Sequence, residues 1–245
     1  MTHATEFAPG LVVQGIEAPL SLSSYKLIAF DMDSTLINIE CVDEIADAAG
    51  RKAEVAAITE AAMQGVITDY KESLRQRVAL LKGVTVAHME QVFSERLRFN
   101  PGAKELVSAA KAAGLTTLLV SGGFTFFADY FAKRIGFDEA VANVLEFDGD
   151  ALTGTVAAPI VDKTTKLTRL QALAAERGLP MTATLAVGDG ANDLDMIRAA
   201  GLGVALHAKP HVAAAAQVRI DHGDLTALLY IQGYRKSDFA NQDYR

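Results

Sequence analysis

Lys26-Leu27-Ile28-Ala29-Phe30-Asp31-Met32-Asp33-Ser34-Thr35 decides the fold. The apolar run from Leu27 to Phe30 is continuous, which suits a strand buried on both faces, and it ends in an acid. Similar runs recur at 116–120, 184–187 and 203–206. Between them lie Ala/Leu-rich helical patterns at 104–113 and 166–176, with Gly114 and Gly178 placed as C-terminal stops. The strand–helix alternation predicts a doubly wound α/β core with a parallel sheet, built from residues 26–39 and 99–235.

Two stretches break the alternation. Residues 40–98 contain no convincing strand; segments 42–49, 53–63, 69–81 and 86–97 are helical in composition. Asp69 with Glu72 is placed as a capping box and Gly83 as a stop, so this stretch predicts a helical cap inserted after the first strand. Residues 144–161, with Phe147-Asp148-Gly149-Asp150 and Leu152-Thr153-Gly154, predict a small β-hairpin. Residues 1–25 read as an arm of polar and small residues, and 236–245 as a polar tail.

Composition narrows the function. Half of the residues are hydrophobic, enough for a sizeable core. Twenty-three basic against 30 acidic residues give a net charge of −7, which argues against a nucleic-acid partner but leaves room for a small anionic substrate in a local cationic pocket. Cys41 is the single cysteine, so neither an intrachain disulfide nor a zinc knuckle can form. No Lys or Arg precedes Lys26, and the longest uncharged stretch, between Lys111 and Asp129, is too short and glycine-rich to span a bilayer. A cytoplasmic protein without a membrane partner is expected.

Three strand ends carry chemistry. Asp31 and Asp33 follow the first run; paired acids there can hold a divalent cation or divide the roles of nucleophile and general acid. An Asp-rich turn that merely caps the next element is the competing reading. Ser121-Gly122-Gly123, between the second run and a helical segment at 124–135, offers a hydroxyl and free N–H groups to an anion. Gly188-Asp189-Gly190-Ala191-Asn192-Asp193 again places acids at a strand end, beside glycines that let the backbone approach a metal or phosphate. A lysine upstream, Lys163 or Lys166, completes the set. Acids and an anion cradle in one crevice are what a magnesium-dependent phosphoryl-transfer site requires.

These segments, in this order, resemble the motifs of the haloacid dehalogenase superfamily of aspartate-nucleophile phosphatases. Within it they are most similar to the branch that acts on phosphoserine. That likeness rests on Asp31-Met32-Asp33-Ser34-Thr35-Leu36-Ile37-Asn38-Ile39-Glu40, on the stretch from Ser73-Leu74-Arg75-Gln76-Arg77 to Gly83, and on Val187 to Asp193. The resemblance implies hydrolysis of phosphoserine, the last step of serine biosynthesis, with Asp31 as nucleophile. It makes Asp33 the acid that protonates the departing oxygen and then the base for water. It implies Mg²⁺ on the carboxylates of Asp31 and Asp189 and the carbonyl of Asp33, supported by Asp193. Ser121, Gly122 and a lysine would hold the phosphoryl oxygens, and its spacing from Asp189 selects Lys166 over Lys163. Asn192 would contact the substrate. Glu40 matches the position for the substrate amine and Arg77, rather than Arg75, the position for its carboxylate; Met63 and Tyr70 match apolar cap positions. A phosphatase or phosphotransferase for another small ester shares every catalytic residue. A phospho-aspartate receiver would share Asp31 but lacks the cap and Asp33.

Overall fold

The computed structural model describes residues 4–18, 20–64 and 66–239. Its strands are β1 (Ala4–Ala8), β2 (Leu11–Gln14), β3 (Leu27–Phe30), β4 (Thr116–Phe124), β5 (Glu139–Asn143), β6 (Leu145–Asp148), β7 (Ala151–Val156), β8 (Thr184–Gly188), β9 (Leu202–Leu206) and β10 (Val218–Ile220). Eight of them form one sheet in the order β1-β2-β10-β9-β8-β3-β4-β5. From β10 to β5 every neighbouring pair is parallel, and β2 joins β10 antiparallel. Crossovers from β3 run outward to β4 and β5, then return to β8 and continue to β10. The strand order therefore reverses between β3 and β8, and at such a point a crevice opens beyond the carboxyl ends of the strands.

Alternate residues of β3 face opposite layers. Leu27 and Ala29 pack with Leu118, Ala186 and the Leu170 and Leu173 side chains of helix Lys163–Glu176. Ile28 and Phe30 pack on the other face with Leu119 and Val187, and with Leu106 and Val107 of helix Ala103–Ala112. Both faces are dry, so each large side chain of β3 contributes roughly 1.5–3 kcal/mol of burial. That is why its sequence shows no polar alternation.

The inserted stretch contains helices Cys41–Ala48, Lys52–Met63, Tyr70–Ala79 and Val86–Gln91, then a π-helical turn at Val92–Arg96. Asp69 caps the third of these through the Lys71 N–H, while Glu72 turns to Gln76 and Arg75 in place of closing a capping box. The two links to the core lie side by side. Ile37 bridges Phe99, and the Asn38 N–H donates to the Arg98 carbonyl at 3.1 Å. The β6–β7 hairpin, expected as an insertion into the core, also serves the cap. The Gly83 N–H donates to the Leu152 carbonyl and the Leu152 N–H to that of Val84, both at 2.8 Å.

Several expectations need correction. Where it is described, the arm over 1–25 holds two strands, β1 and β2, which extend the main sheet beyond β10. Ser121-Gly122-Gly123 lies within the end of β4, and its helix begins at Thr125. A register shift between Val120 and Phe124 loosens the pairing with β5 there, so the strand continues without a regular ladder. The polar tail begins with a helical turn, Lys236–Phe239; its remaining residues, 240–245, lie outside the described residues. Among the described residues, no helix is long and apolar enough to cross a membrane.

Candidate active site

Register brings the chemistry together. Phe30 is level with Leu119 of β4 and Val187 of β8, so Asp31, Ser121 and Asp189 leave adjacent strands within one residue of the same height. The Asp31 N–H still donates to the Val187 carbonyl at 3.0 Å, which fixes where its side chain starts. Oδ1 of Asp31 then accepts from the Met32 N–H at 2.7 Å and from Lys166 Nζ at 2.8 Å.

Lys166 is wholly buried on helix Lys163–Glu176 and also reaches Asp193 Oδ1 at 2.6 Å. Burial alone would lower its pKa, but the Asp193 and Asp31 charges hold it well above the ordinary lysine value. Lys163, the other candidate, points away to Asp195, 4.0 Å off and largely in solvent. Asp193 is pushed up to about 6 by desolvation and by Asp31, against the pull of Lys166. Its second oxygen accepts from the N–H groups of Asp189 and Gly190, at 3.2 and 3.0 Å. This close fit explains Gly188: a Cβ there would lie 2.5 Å from Asp193 Cγ.

Asp33 is held by one residue twice. The Cys41 N–H donates to Oδ2 at 2.9 Å and the Cys41 thiol to Oδ1 at 3.1 Å. Desolvation and the Asp31 charge nevertheless push Asp33 up to about 7. Asp189 also rises to about 7, through desolvation and the Asp31 and Asp193 charges. So does Glu40, through desolvation and Asp33, although the Ser34 hydroxyl donates to it at 2.5 Å. Ser34 itself adopts a left-handed φ of 56°. Asn100 supports the tight turn around it by donating to the carbonyls of Ser34, Thr35 and Ile37.

Asp31, Asp33, Glu40 and Asp189 border one cavity of about 390 Å³ between core and cap, which the wholly buried Lys166 and Asp193 do not line. Asp31, Asp33, Asp189 and Asn192 line its floor, with Ser121 and Gly122 beside them. Glu40, Tyr70, Ser73 and Arg77 line the cap side. Arg75 is absent from the lining and pairs with Glu72 at the surface. The side chain of Met63 lies outside the described residues.

Ligand atoms of Asp31, Asp189 and Asp193 all fall within 4.8 Å of one another. Asp193 spends both oxygens on Lys166 and backbone N–H groups, whereas Oδ2 of Asp31 and Oδ2 of Asp189 accept no hydrogen bond among the described residues. Those two oxygens are the donor type that a hard divalent cation prefers, and a cation there would offset the mutual repulsion of these buried carboxyls.

The profile of the haloacid dehalogenase-like hydrolases matches residues 28–198, from β3 through the motif after β8. The chain belongs to this family. A phosphoserine phosphatase of Albidiferax ferrireducens is 60% identical over 231 residues, covering 93% of this chain and 98% of that protein. Among solved structures, a phospho-aspartyl intermediate analogue of phosphoserine phosphatase aligns with TM-score 0.78 and 39% identity, over 84% of this chain and 98% of the other. A substrate-bound phosphoserine phosphatase complex aligns with TM-score 0.78 and 38% identity, over 84% and 97%.

Two residues to which the sequence analysis assigns no role also hold the site of this haloacid dehalogenase-like hydrolase together. Thr35 donates to Asp189 Oδ1 at 2.8 Å and so ties the first strand end to the third. Asn143 Nδ2 donates to the Gly122 carbonyl at 2.8 Å, and its Oδ1 accepts from the Val161 N–H at 2.8 Å. It supplies the bond that the irregular end of β4 lacks. Thr35 has a usable signal, its place inside the first motif; Asn143 has none.

Proposed function

We propose that the protein hydrolyses O-phosphoserine to serine and phosphate through an aspartyl-phosphate on Asp31, with Mg²⁺ as cofactor. One observation carries the substrate: Glu40 and Arg77 face the same cavity as Asp31 and Asp33. An acid for an ammonium and a planar cation for a carboxylate are thereby offered beyond the phosphate end. The phosphoserine phosphatases to which the chain is similar support the same reading.

In the first step a carboxylate oxygen of Asp31 attacks phosphorus as the ester P–O bond breaks. The protonated carboxyl of Asp33, raised to about 7, gives its proton to the departing serine oxygen. In the second step Asp33, now a carboxylate, takes a proton from water. The water oxygen attacks phosphorus and the bond to Asp31 breaks. Lys166, Ser121 and the Gly122 N–H hold the phosphoryl oxygens, and Asn192 contacts the substrate. Mg²⁺, held by Asp31, Asp189 and the Asp33 carbonyl with Asp193 in support, would reduce the repulsion between the nucleophile and an anionic phosphate.

The test compares kcat/KM for phosphoserine with that for phosphoethanol, which has neither amine nor carboxylate. Arg77→Ala should cost phosphoserine roughly 2–4 kcal/mol of transition-state binding and leave phosphoethanol little changed. Equal loss on both substrates would favour a different small ester.

A further inference from the structure

The cap helix Tyr70–Ala79 turns Tyr70, Ser73, Leu74 and Arg77 to the cavity, the spacing of one helical face. The Tyr70 ring packs against the main hydrophobic cluster, as a phenylalanine would. Its hydroxyl is what packing does not use. A Cβ on Gly122 would lie 2.4 Å from Tyr70 Oη, so the phenol oxygen rests directly on the anion cradle of β4. Burial holds the phenol's pKa above its ordinary value, and Lys166, Arg77, Asp31 and Asp33 are the charged groups near it. Among the described residues, no protein group shares a hydrogen bond with this oxygen, whereas the Tyr130 hydroxyl accepts one from Arg134. A phenol in such a place ordinarily has a partner, and here the open side is the cavity.

The neighbouring residues keep the phenol in position. Asp69 caps the start of its helix, and Lys71 Nζ lies 2.9 Å from Asp162 Oδ2. Asp162 in turn caps helix Lys163–Glu176, which carries Lys166. The cap hydroxyl and the buried lysine are thus fixed to the same helix start.

We propose that Tyr70 Oη donates a hydrogen bond to a phosphoryl oxygen of the bound ester. This adds a donor from the cap to those of Ser121, Gly122 and Lys166. The inference rests on the phosphatase reading of the site, though not on which ester is the substrate. Phosphoryl transfer depends on donors placed around the transferred group, and a cap-borne donor is in place only while the cap covers the site.

Tyr70→Phe removes one oxygen and keeps the packing. With the Mg²⁺-loaded enzyme, calorimetry of inorganic phosphate should show about tenfold weaker binding or worse, as expected for a hydrogen bond to a charged group. The kcat/KM for phosphoserine and for phosphoethanol should fall by one common factor, with Tm unchanged. Unchanged phosphate affinity would overturn the inference, and so would a loss confined to phosphoserine, which would assign the hydroxyl to the carboxylate. A wild-type enzyme that binds phosphate yet leaves phosphoserine intact would defeat the substrate reading alone; phosphate binding to the Tyr70→Phe variant would still decide this one.

Discussion

Cys41 gives Asp33 two hydrogen bonds, one from its N–H at 2.9 Å and one from its thiol at 3.1 Å. Both lower the Asp33 pKa, against desolvation and the Asp31 charge, which raise it to about 7. The residue after Glu40 therefore helps set the proton affinity of the proposed acid. In Cys41→Ala the backbone bond stays and the thiol bond goes, so the Asp33 pKa should rise by about half a unit to one unit. In the proposed mechanism the attack step needs Asp33 protonated, so kcat/KM should fall as pH rises through that pKa. The alkaline limb of the kcat/KM profile should thus move to higher pH in the variant. A limb that stays in place would show that the thiol only fills space.

Asp31→Asn tests the nucleophile. An amide attacks phosphorus poorly, so phosphate release should fall on the order of a thousandfold or more while circular dichroism stays native. Beryllofluoride should modify the wild type at Asp31 alone. Retention of most activity would remove Asp31 from the reaction.

What is legible in the chain follows from how local each signal is. Asp31 and Asp189 stand out because each ends an apolar run, and the strands that carry them are buried on both faces. Strands β5 and β10 mix charges such as Glu139 and Arg219 into short segments, and β1 is exposed along its length. No continuous apolar run marks them. Glu40 and Arg77 are visible only through resemblance, since an acid just before one cap helix and a cation on another look like any solvated pair until the cavity encloses both. The Cys41 thiol, the Asn143 amide and the Tyr70 hydroxyl gain their meaning from contacts between segments far apart in the chain. Nothing in their own neighbourhood announces those contacts.

Metal removal should leave a pH signature. Asp33, Glu40 and Asp189 are all raised to about 7 and Asp193 to about 6. A carboxyl raised in the folded state keeps its proton there after the unfolded chain has lost its own. The metal-free protein should therefore lose stability as pH rises from about 4 to about 7. Mg²⁺ should reverse this, raising Tm more at pH 8 than at pH 5, where protons compete for the same oxygens. Thermal melts with Mg²⁺ or chelator at the two pH values give the comparison. An identical Mg²⁺ effect at both would separate the metal from these carboxyls.

Lys166→Met probes the buried ion cluster itself. Lys166 and Asp193 are both wholly inaccessible, and the lysine lies 2.8 Å from Asp31 and 2.6 Å from Asp193. Methionine keeps much of the volume but leaves two carboxyls facing each other without a cation. Breaking a buried pair from one side costs about 3–5 kcal/mol, because the remaining charge cannot be solvated. That cost depends on pH in a defined direction. Without the lysine, Asp193 should titrate above its present value of about 6. With its folded pKa raised further, Asp193 is protonated and tolerated at low pH. The stability difference from wild type grows as pH climbs above about 6, where Asp193 has lost its proton in the wild type but not in the variant. Urea unfolding of metal-free wild type and variant should show the larger stability difference at pH 8 and a clearly smaller one at pH 5. Equal differences at both values would mean that lost packing, not uncompensated charge, accounts for the effect. The phosphoryl cradle would then have to be built without the electrostatic role given to Lys166.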